Sequence, residues 1–382
     1  MAISVRTDQP CYMGGDTITG KIEVFSRQPL HCSAVKLKVT GHEKCKFDVL
    51  HAHTVQQTDG SSKTIYTKSK AREKKEFFDR SEKSLWSGVI PAEPQEIPFQ
   101  FPLPRDLPAS FHLKGRQGSG ERERKWQGRI VYKVKAVLEL PQRPDMKAEQ
   151  LLVMVEPPRS PTKPVKEEKE GSAMCCLCIP RGRISMTANF DRLQVFPGER
   201  FAFYLSVRND SSMDVRATKI KLMRTIRLRA DGHTWNLVDS IGETSKFDAV
   251  PARKSMEKNV HLDIHSSVEP ATTLGRLVQC SFNVNVECDI PFAPDVELHR
   301  SLDIVPLRPT QWGSEYSAAY SKQPIPDASG PQGGSSSWHS SPPPPPQQDF
   351  YADPPTHKGG DPALDPFLGG QHQSHKGYGT GM

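Results

Sequence analysis

The sequence predicts an all-β protein: two tandem immunoglobulin-like β-sandwich domains at 1–156 and 183–306, a linker at 157–182, and a disordered Pro/Gly/Ser-rich C-terminal tail at 307–382. Three observations predict it. Alternation of apolar with polar residues, the signature of strands with one buried face, recurs through the first 306 positions. A stretch of spaced prolines and clustered charge interrupts it near the middle. The openings of the two halves superpose at a constant shift of 183 residues, as a duplicated unit would.

In chain order, residues 18–24 alternate apolar with polar or small residues, and 33–39 follow with Val35, Leu37 and Val39 on one face. Residues 69–85 form the best helical candidate, although charges surround their few apolar side chains. Residues 130–140 give a further strand through Val131, Val134, Val137 and Leu138. The segment EPPRSPTKPVKEEKEG combines prolines, which cannot donate to a ladder, with a charge cluster, and reads as linker. Strand-like runs resume at Ile184 and recur at 201–207, 218–222, 277–286 and 298–305.

The repeat aligns Gly15-Asp16 with Gly198-Glu199 and strand 17–24 with 200–207. It also aligns Val35-Lys36-Leu37-Lys38-Val39 with Thr218-Lys219-Ile220-Lys221-Leu222, both lysines in register. Gly14-Gly15-Asp16 and Pro197-Gly198-Glu199 fit tight turns, where glycine takes a positive φ that strains other residues. Lys36, Lys38, Lys219 and Lys221 point away from the core, onto a face that is either solvated or anion-binding.

From Leu307 onward, 13 Pro, 11 Gly and 10 Ser among 76 residues leave too little apolar surface to offset the entropy of ordering. That tail holds four of the 51 Lys and Arg and six of the 44 Asp and Glu, so the preceding body stands at +9 against +7 for the whole chain. Such a body favours acidic partners, phosphorylated tails or anionic lipid headgroups; no motif points to nucleic acid. No apolar run approaches the roughly 20 residues of a membrane span, and MAISVRTDQP has no signal-peptide core, so a cytosolic protein is expected. Eight cysteines are too few for a disulfide scaffold at this length.

These residues resemble the arrestins, specifically the arrestin-domain-containing or α-arrestin branch. The first half carries the pattern in CYMGGDTITGKIEV, VKLKVTGHE, IPFQFPLPRDLPASF and GRIVYKVKAVLEL. The second carries it in CLCIPRGRIS, LQVFPGERFAFYLSVRNDSS, QCSFNVNVECDIP and LHRSLDIVPL. The resemblance implies two arrestin-like sandwiches serving as a non-catalytic, cofactor-free adaptor. Such a protein binds cytoplasmic regions of membrane proteins and recruits endocytic or ubiquitin-ligase machinery at the plasma membrane or endosomes. Retromer-subunit-like coat components share the architecture and are the alternative. Two features depart from the family. Visual and β-type arrestins carry a phosphate-sensing basic segment ahead of the first strand, whereas this sequence enters that strand almost at once. Many α-arrestins dock WW domains of ubiquitin ligases through Pro-Pro-x-Tyr, which this sequence lacks.

Candidate contacts follow from short motifs. Lys36, Lys38, Arg116, Arg122, Arg124 and Lys125 are candidates for phosphate or lipid contact, the last four within a basic stretch at 114–135; the stretch at 63–83 is interleaved with acids and reads as solvated. Asp365-Pro366-Phe367 resembles motifs that insert Phe into clathrin-adaptor appendages. Pro342, Pro343, Pro344, Pro345 and Pro346 form a polyproline II rod for SH3 or WW grooves, or a stiff spacer. Ser160-Pro161 and Ser341-Pro342 fit WW binding or phosphorylation. Cys175, Cys176 and Cys178 read as an ordinary strand, with zinc binding or palmitoylation as alternatives; Cys280 and Cys288, separated by seven residues, are the other close cysteines. His51 and His53 beside Asp48 read as surface. No nucleophile, phosphate-loop or metal motif supports catalysis.

Overall fold

The computed structural model describes residues 1–305 except 142, 162, 176–178, 267–270 and 292, with the side chains of Lys83 and Cys175 also left aside. The described chain is almost entirely strand and contains no α-helix. In the first half β1 (Ala2–Thr7), β2 (Thr17–Phe25) and β5 (Gln95–Pro102) form a three-stranded sheet in the order β1-β2-β5. Facing it are β3 (Leu30–Gln56), β4 (Ser62–Ile90), β6 (Phe111–Gln117), β7 (Arg124–Glu139) and β8 (Met146–Leu152), in the order β4-β3-β7-β6 with β8 also on β7.

The second half repeats the plan. One sheet runs β15-β12-β10-β9, from β9 (Val165–Cys175), β10 (Ile179–Phe190), β12 (Arg200–Asn209) and β15 (Lys254–Asp263). The other runs β11-β18-β17-β13-β14, from β11 (Gln194–Val195), β13 (Ala217–Ala230), β14 (His233–Phe247), β17 (Val278–Asp289) and β18 (Val296–Ile304), with β16 (Thr273–Leu274) also on β17. Each sandwich is filled by the alternating residues: Ile18, Ile22, Leu37, Val39, Val134 and Leu138 in the first, Met186, Phe190, Phe201, Val284 and Val286 in the second, all buried.

The duplicated turns share one hydrogen-bond pattern. Gly15 and Gly198 have φ of 91° and 84°. Met13 N–H donates to Asp16 Oδ2 at 2.6 Å and Phe196 N–H to Glu199 Oε2 at 3.1 Å. A carboxylate in the turn thus bonds a backbone amide three residues upstream at both ends of the repeat.

Two local expectations are corrected. Residues 69–85 are not helical but lie inside β4, paired with β3 from Gln56↔Ser62 to Leu30↔Ile90. Their charges fall on both faces of β4, with Arg72 and Lys74 outward and Glu73 and Lys75 opposite inner-face residues of β3, which removes the apolar periodicity. The expected linker contains a strand: Val165–Cys175 pairs antiparallel with β10. Its last proline, Pro164, precedes the ladder, and β9 is an edge strand where charged side chains are tolerated.

The inner face of the five-stranded sheet has two neighbours. Its proximal half packs on the three-stranded sheet, where Phe78 stacks with Phe101 at 6.3 Å and with Tyr132 at 6.2 Å. Its distal half packs on the hairpin of β13 and β14, which turns through Asp231-Gly232, both at positive φ. There Trp126 stacks on Trp235 at 5.0 Å and Cys45 Sγ lies 3.0 Å from the Arg229 carbonyl oxygen. A Cβ on Gly128 would come within 2.9 Å of Leu228 Cδ2 and 3.2 Å of Val278 Cγ1, so a larger residue here would have to displace those side chains.

Candidate functional site

Strand alternation sends every second residue of β3, β4, β6 and β7 to the outer face of the five-stranded sheet. On β3 these are Lys36, Lys38, Thr40, His42, Lys44 and Lys46, with Leu37, Val39, Glu43 and Cys45 on the buried side. The lysines meet two different environments. In the proximal half, Lys36 pairs with Glu139, Lys38 with Asp79 at 2.8 Å, and Lys133 and Lys135 with Glu149 at 3.0 and 3.2 Å. The equivalent lysines of the repeat are also neutralised: Lys219 lies 3.0 Å from Glu287 and 3.1 Å from Asp289, and Lys221 lies 3.1 Å from Glu287.

The distal half is arranged differently. The register aligns Lys74, Lys44, Arg129 and His112 across four strands, then Arg72, Lys46, Gln127 and Lys114 in the next row. Beyond them Lys70 lies opposite Asp48, and Lys125 opposite Arg116. Lys44, Lys46, Lys70, Arg72, Lys114, Lys125 and Arg129 are exposed, and none has an ion-pair partner among the described residues. Asp48 accepts the Lys125 backbone N–H at 2.8 Å. Like charges directly opposite one another destabilise a sheet, so this face is held together against its own repulsion by the packing behind it.

Beside the cations a pocket of about 140 Å³ is lined by Lys46, Phe47, Asp48, Lys70, Lys125 and Trp126. An apolar groove of about 320 Å³ runs from His112 and Arg129 past Val131 to Leu151 and Val153. Exposed cations on neighbouring strands, roughly 4.8 Å apart, suit charge-assisted hydrogen bonds to carboxylates or phosphates.

Of the residues singled out in sequence, Lys36 and Lys38 are paired as above. Arg116 lies 3.4 Å from Glu123, Arg122 sits over the Tyr66 ring at 4.6 Å, and Arg124 donates to Gln117 Oε1 at 3.2 Å. Lys125 alone of the six joins the unpaired face. Lys44 and Lys46 lie beyond the strand read from sequence at 33–39; Lys70 and Arg72 belong to a stretch whose interleaved acids suggested self-neutralisation. Register was the missing information: Glu73 lies opposite Cys45 on the inner side, where, still exposed, its carboxylate accepts the Asp231 N–H at 3.3 Å. Asp365, Pro366, Phe367, Pro342 to Pro346, Cys176 and Cys178 lie outside the described residues.

Cys280 and Cys288 share β17, eight positions and about 26 Å apart, too far to ligate one metal ion. Burial pushes their thiols up to about 12 and about 11. Among the described residues no cluster of three His, Cys, Asp or Glu is arranged to hold a metal. Among the described residues no helix is long and apolar enough to cross a membrane.

Residues 1–158 match the family model of the arrestin (or S-antigen) N-terminal domain, and residues 180–307 that of the arrestin (or S-antigen) C-terminal domain. The chain is 26% identical over 299 residues to arrestin domain-containing protein A of Dictyostelium discoideum, covering 78% of this chain and 50% of that one. It is 25% identical over 231 residues to human arrestin domain-containing protein 4, covering 59% and 51%. With arrestin domain-containing protein 17 of Caenorhabditis elegans it shares 21% over 299 residues, covering 75% and 66%. The chain thus spans about half the length of the first two relatives.

Proposed function

The chain belongs to the arrestin family, and from that premise we propose that it is a cytoplasmic adaptor whose distal basic face grips acidic or phosphorylated cytoplasmic segments of membrane proteins. The observation that carries this reading is the set of seven exposed cations without ion-pair partners among the described residues, gathered on one face of a sheet where Lys36, Lys38, Lys133 and Lys135 are each paired with an acid. The groove past Val131, Leu151 and Val153 gives an apolar residue of the same segment a place to bind. Recruitment then falls to the tail sequence, with Asp365-Pro366-Phe367 addressing clathrin-adaptor appendages and the five prolines addressing SH3 or WW domains. A ubiquitin ligase would be reached without Pro-Pro-x-Tyr.

The test is titration of the full chain with a fluorescent multiply phosphorylated peptide at low and physiological salt. Lys44→Glu, Lys46→Glu and Arg129→Glu together should weaken binding by roughly a hundredfold, about 2.7 kcal/mol, and flatten its salt dependence. Affinity unchanged by the triple reversal would remove this face from the account.

A further inference from the structure

Three carboxylates hold the two sandwiches together. Glu43 Oε2 accepts the backbone N–H groups of Leu277 at 2.8 Å and Val278 at 3.3 Å. Glu156 Oε1 accepts from Ala109 N–H at 3.0 Å, Leu274 N–H at 2.8 Å and the Thr273 hydroxyl at 2.8 Å. Asp303 Oδ2 accepts from Arg159 N–H at 2.7 Å and Ser160 N–H at 2.6 Å, while the Ser160 carbonyl accepts from Gln194 Nε2 at 3.0 Å. Residues 156–160 therefore form a strap across the joint, with Ser160 pinned at both its N–H and its carbonyl.

Ser160 precedes Pro161, and Lys163 stands at the third position after it. The strap lies outside any strand; Ser160 is partly exposed, and Arg159, Pro161 and Lys163 are exposed. A proline directly after the acceptor, with no N–H to satisfy, and a cation three residues on are the features read by a proline-directed serine/threonine kinase. The sequence has one other Ser-Pro pair, Ser341-Pro342, followed only by prolines through Pro346. It lacks the cation and serves as an internal control.

We propose that Ser160 is a phosphorylation site for such a kinase and that its phosphate releases the strap from the joint. The Ser160 hydroxyl oxygen bonds to the γ-phosphorus of ATP as the bridging bond to ADP breaks, and the hydroxyl proton passes to the kinase's base. The product carries roughly −1.5 to −2 charge next to Asp303, which is 8% exposed and already bonded to the same residue's amide. Glu156 adds a second negative group. The cations nearest in sequence are Lys163, which is exposed, and Arg159, which is committed to Glu156 at 2.8 Å. Repulsion of Asp303 and capture of Arg159 both act against the bonds that pin residues 159 and 160.

The test treats the folded full chain with a purified proline-directed kinase and ATP, maps sites by mass spectrometry, and follows amide hydrogen exchange. Ser160 should be modified well ahead of Ser341, and Lys163→Ala, at an exposed side chain, should slow that modification about tenfold. Exchange at residues 159–160 and 272–278 should accelerate about tenfold on phosphorylation, and Asp303→Asn should reproduce part of that release without phosphate. Modification only after denaturation, preference for Ser341, or unchanged or slowed exchange in the strap would each overturn the proposal. None of these readouts involves peptide binding, so the outcome is independent of the role proposed for the basic face.

Discussion

The proximal and distal halves of the five-stranded sheet are continuous along the same strands and share one alternation, yet they differ on both faces. Proximally, the inner side meets the other sheet of its own sandwich, and Lys36, Lys38, Lys133 and Lys135 on the outer side face Glu139, Asp79 and Glu149. Distally, the inner side meets the β13–β14 hairpin, and the outer lysines face Lys74, Arg72 and Arg129. Alternation decides which side of a sheet a residue takes, whereas pairing decides whether its charge is available. The C-terminal sandwich follows the proximal pattern at Lys219 and Lys221, so the unpaired face is not a by-product of the repeat.

The most forceful way to break the comparison is to remove what the distal half rests on. Trp235 is 3% exposed and stacked on Trp126. Trp235→Ala should destabilise the protein by about 3–5 kcal/mol, read as a lowered denaturant midpoint. It should also increase hydrogen exchange in β3 from Glu43 to Phe47 more than from Leu37 to Val39. Equal loss of protection in both segments would mean that the halves are supported as one unit and that the division drawn here is only electrostatic.

Much of this fold was legible before any coordinates, and the missing parts share a cause. The duplicated turn was readable because Gly15 and Gly198 sit in local patterns that need no distant partner. Residues 165–175 were not, since β9 holds Lys, Glu, Gly and Ser where a half-buried strand would show apolar residues; of its described side chains only Ala173 is buried. Its place is secured instead by the ladder with β10 and by Arg300 pairing with Glu167 from another strand. The candidate site was legible in kind but not in position. A basic composition shows that cations outnumber acids, but only register shows that Lys38 faces an acid across the sheet while Lys44 faces another lysine.

A smaller effect is expected at Glu43, which lies on the buried side of the distal half at 0% exposure. Burial pushes its carboxyl above the usual 4.5, while the amides of Leu277 and Val278 pull it back. A raised folded pKa means that the folded state holds the proton more tightly, so this group's contribution is fully present below 4.5 and is lost as pH rises through the raised value. Glu43→Ala, which leaves two buried amides unpaired, should cost about 1–3 kcal/mol. Glu43→Gln keeps an acceptor for those amides and places an NH₂ at Oε1, which has no partner. Urea melts from pH 4 to 8 should show it near wild-type stability with a flatter pH profile; an unchanged profile would mean that Glu43 does not couple the joint to protons.

The smallest effect sharpens the comparison most, because it converts one half toward the other. If availability rather than position distinguishes the halves, removing the acid that holds Lys38 should give the proximal half some of the distal behaviour. Asp79→Asn does this with little change in volume at a pair whose side chains are 41% and 40% exposed. Stability should change by no more than about 1 kcal/mol, since exposed ion pairs contribute little. Affinity for the phosphorylated peptide should rise about twofold to threefold at low salt, and the gain should shrink as salt screens the freed ammonium. A peptide that binds Asp79→Asn and the wild type equally at every salt concentration would show that the distal rows act through their spacing and the adjoining groove, not through unpaired charge alone.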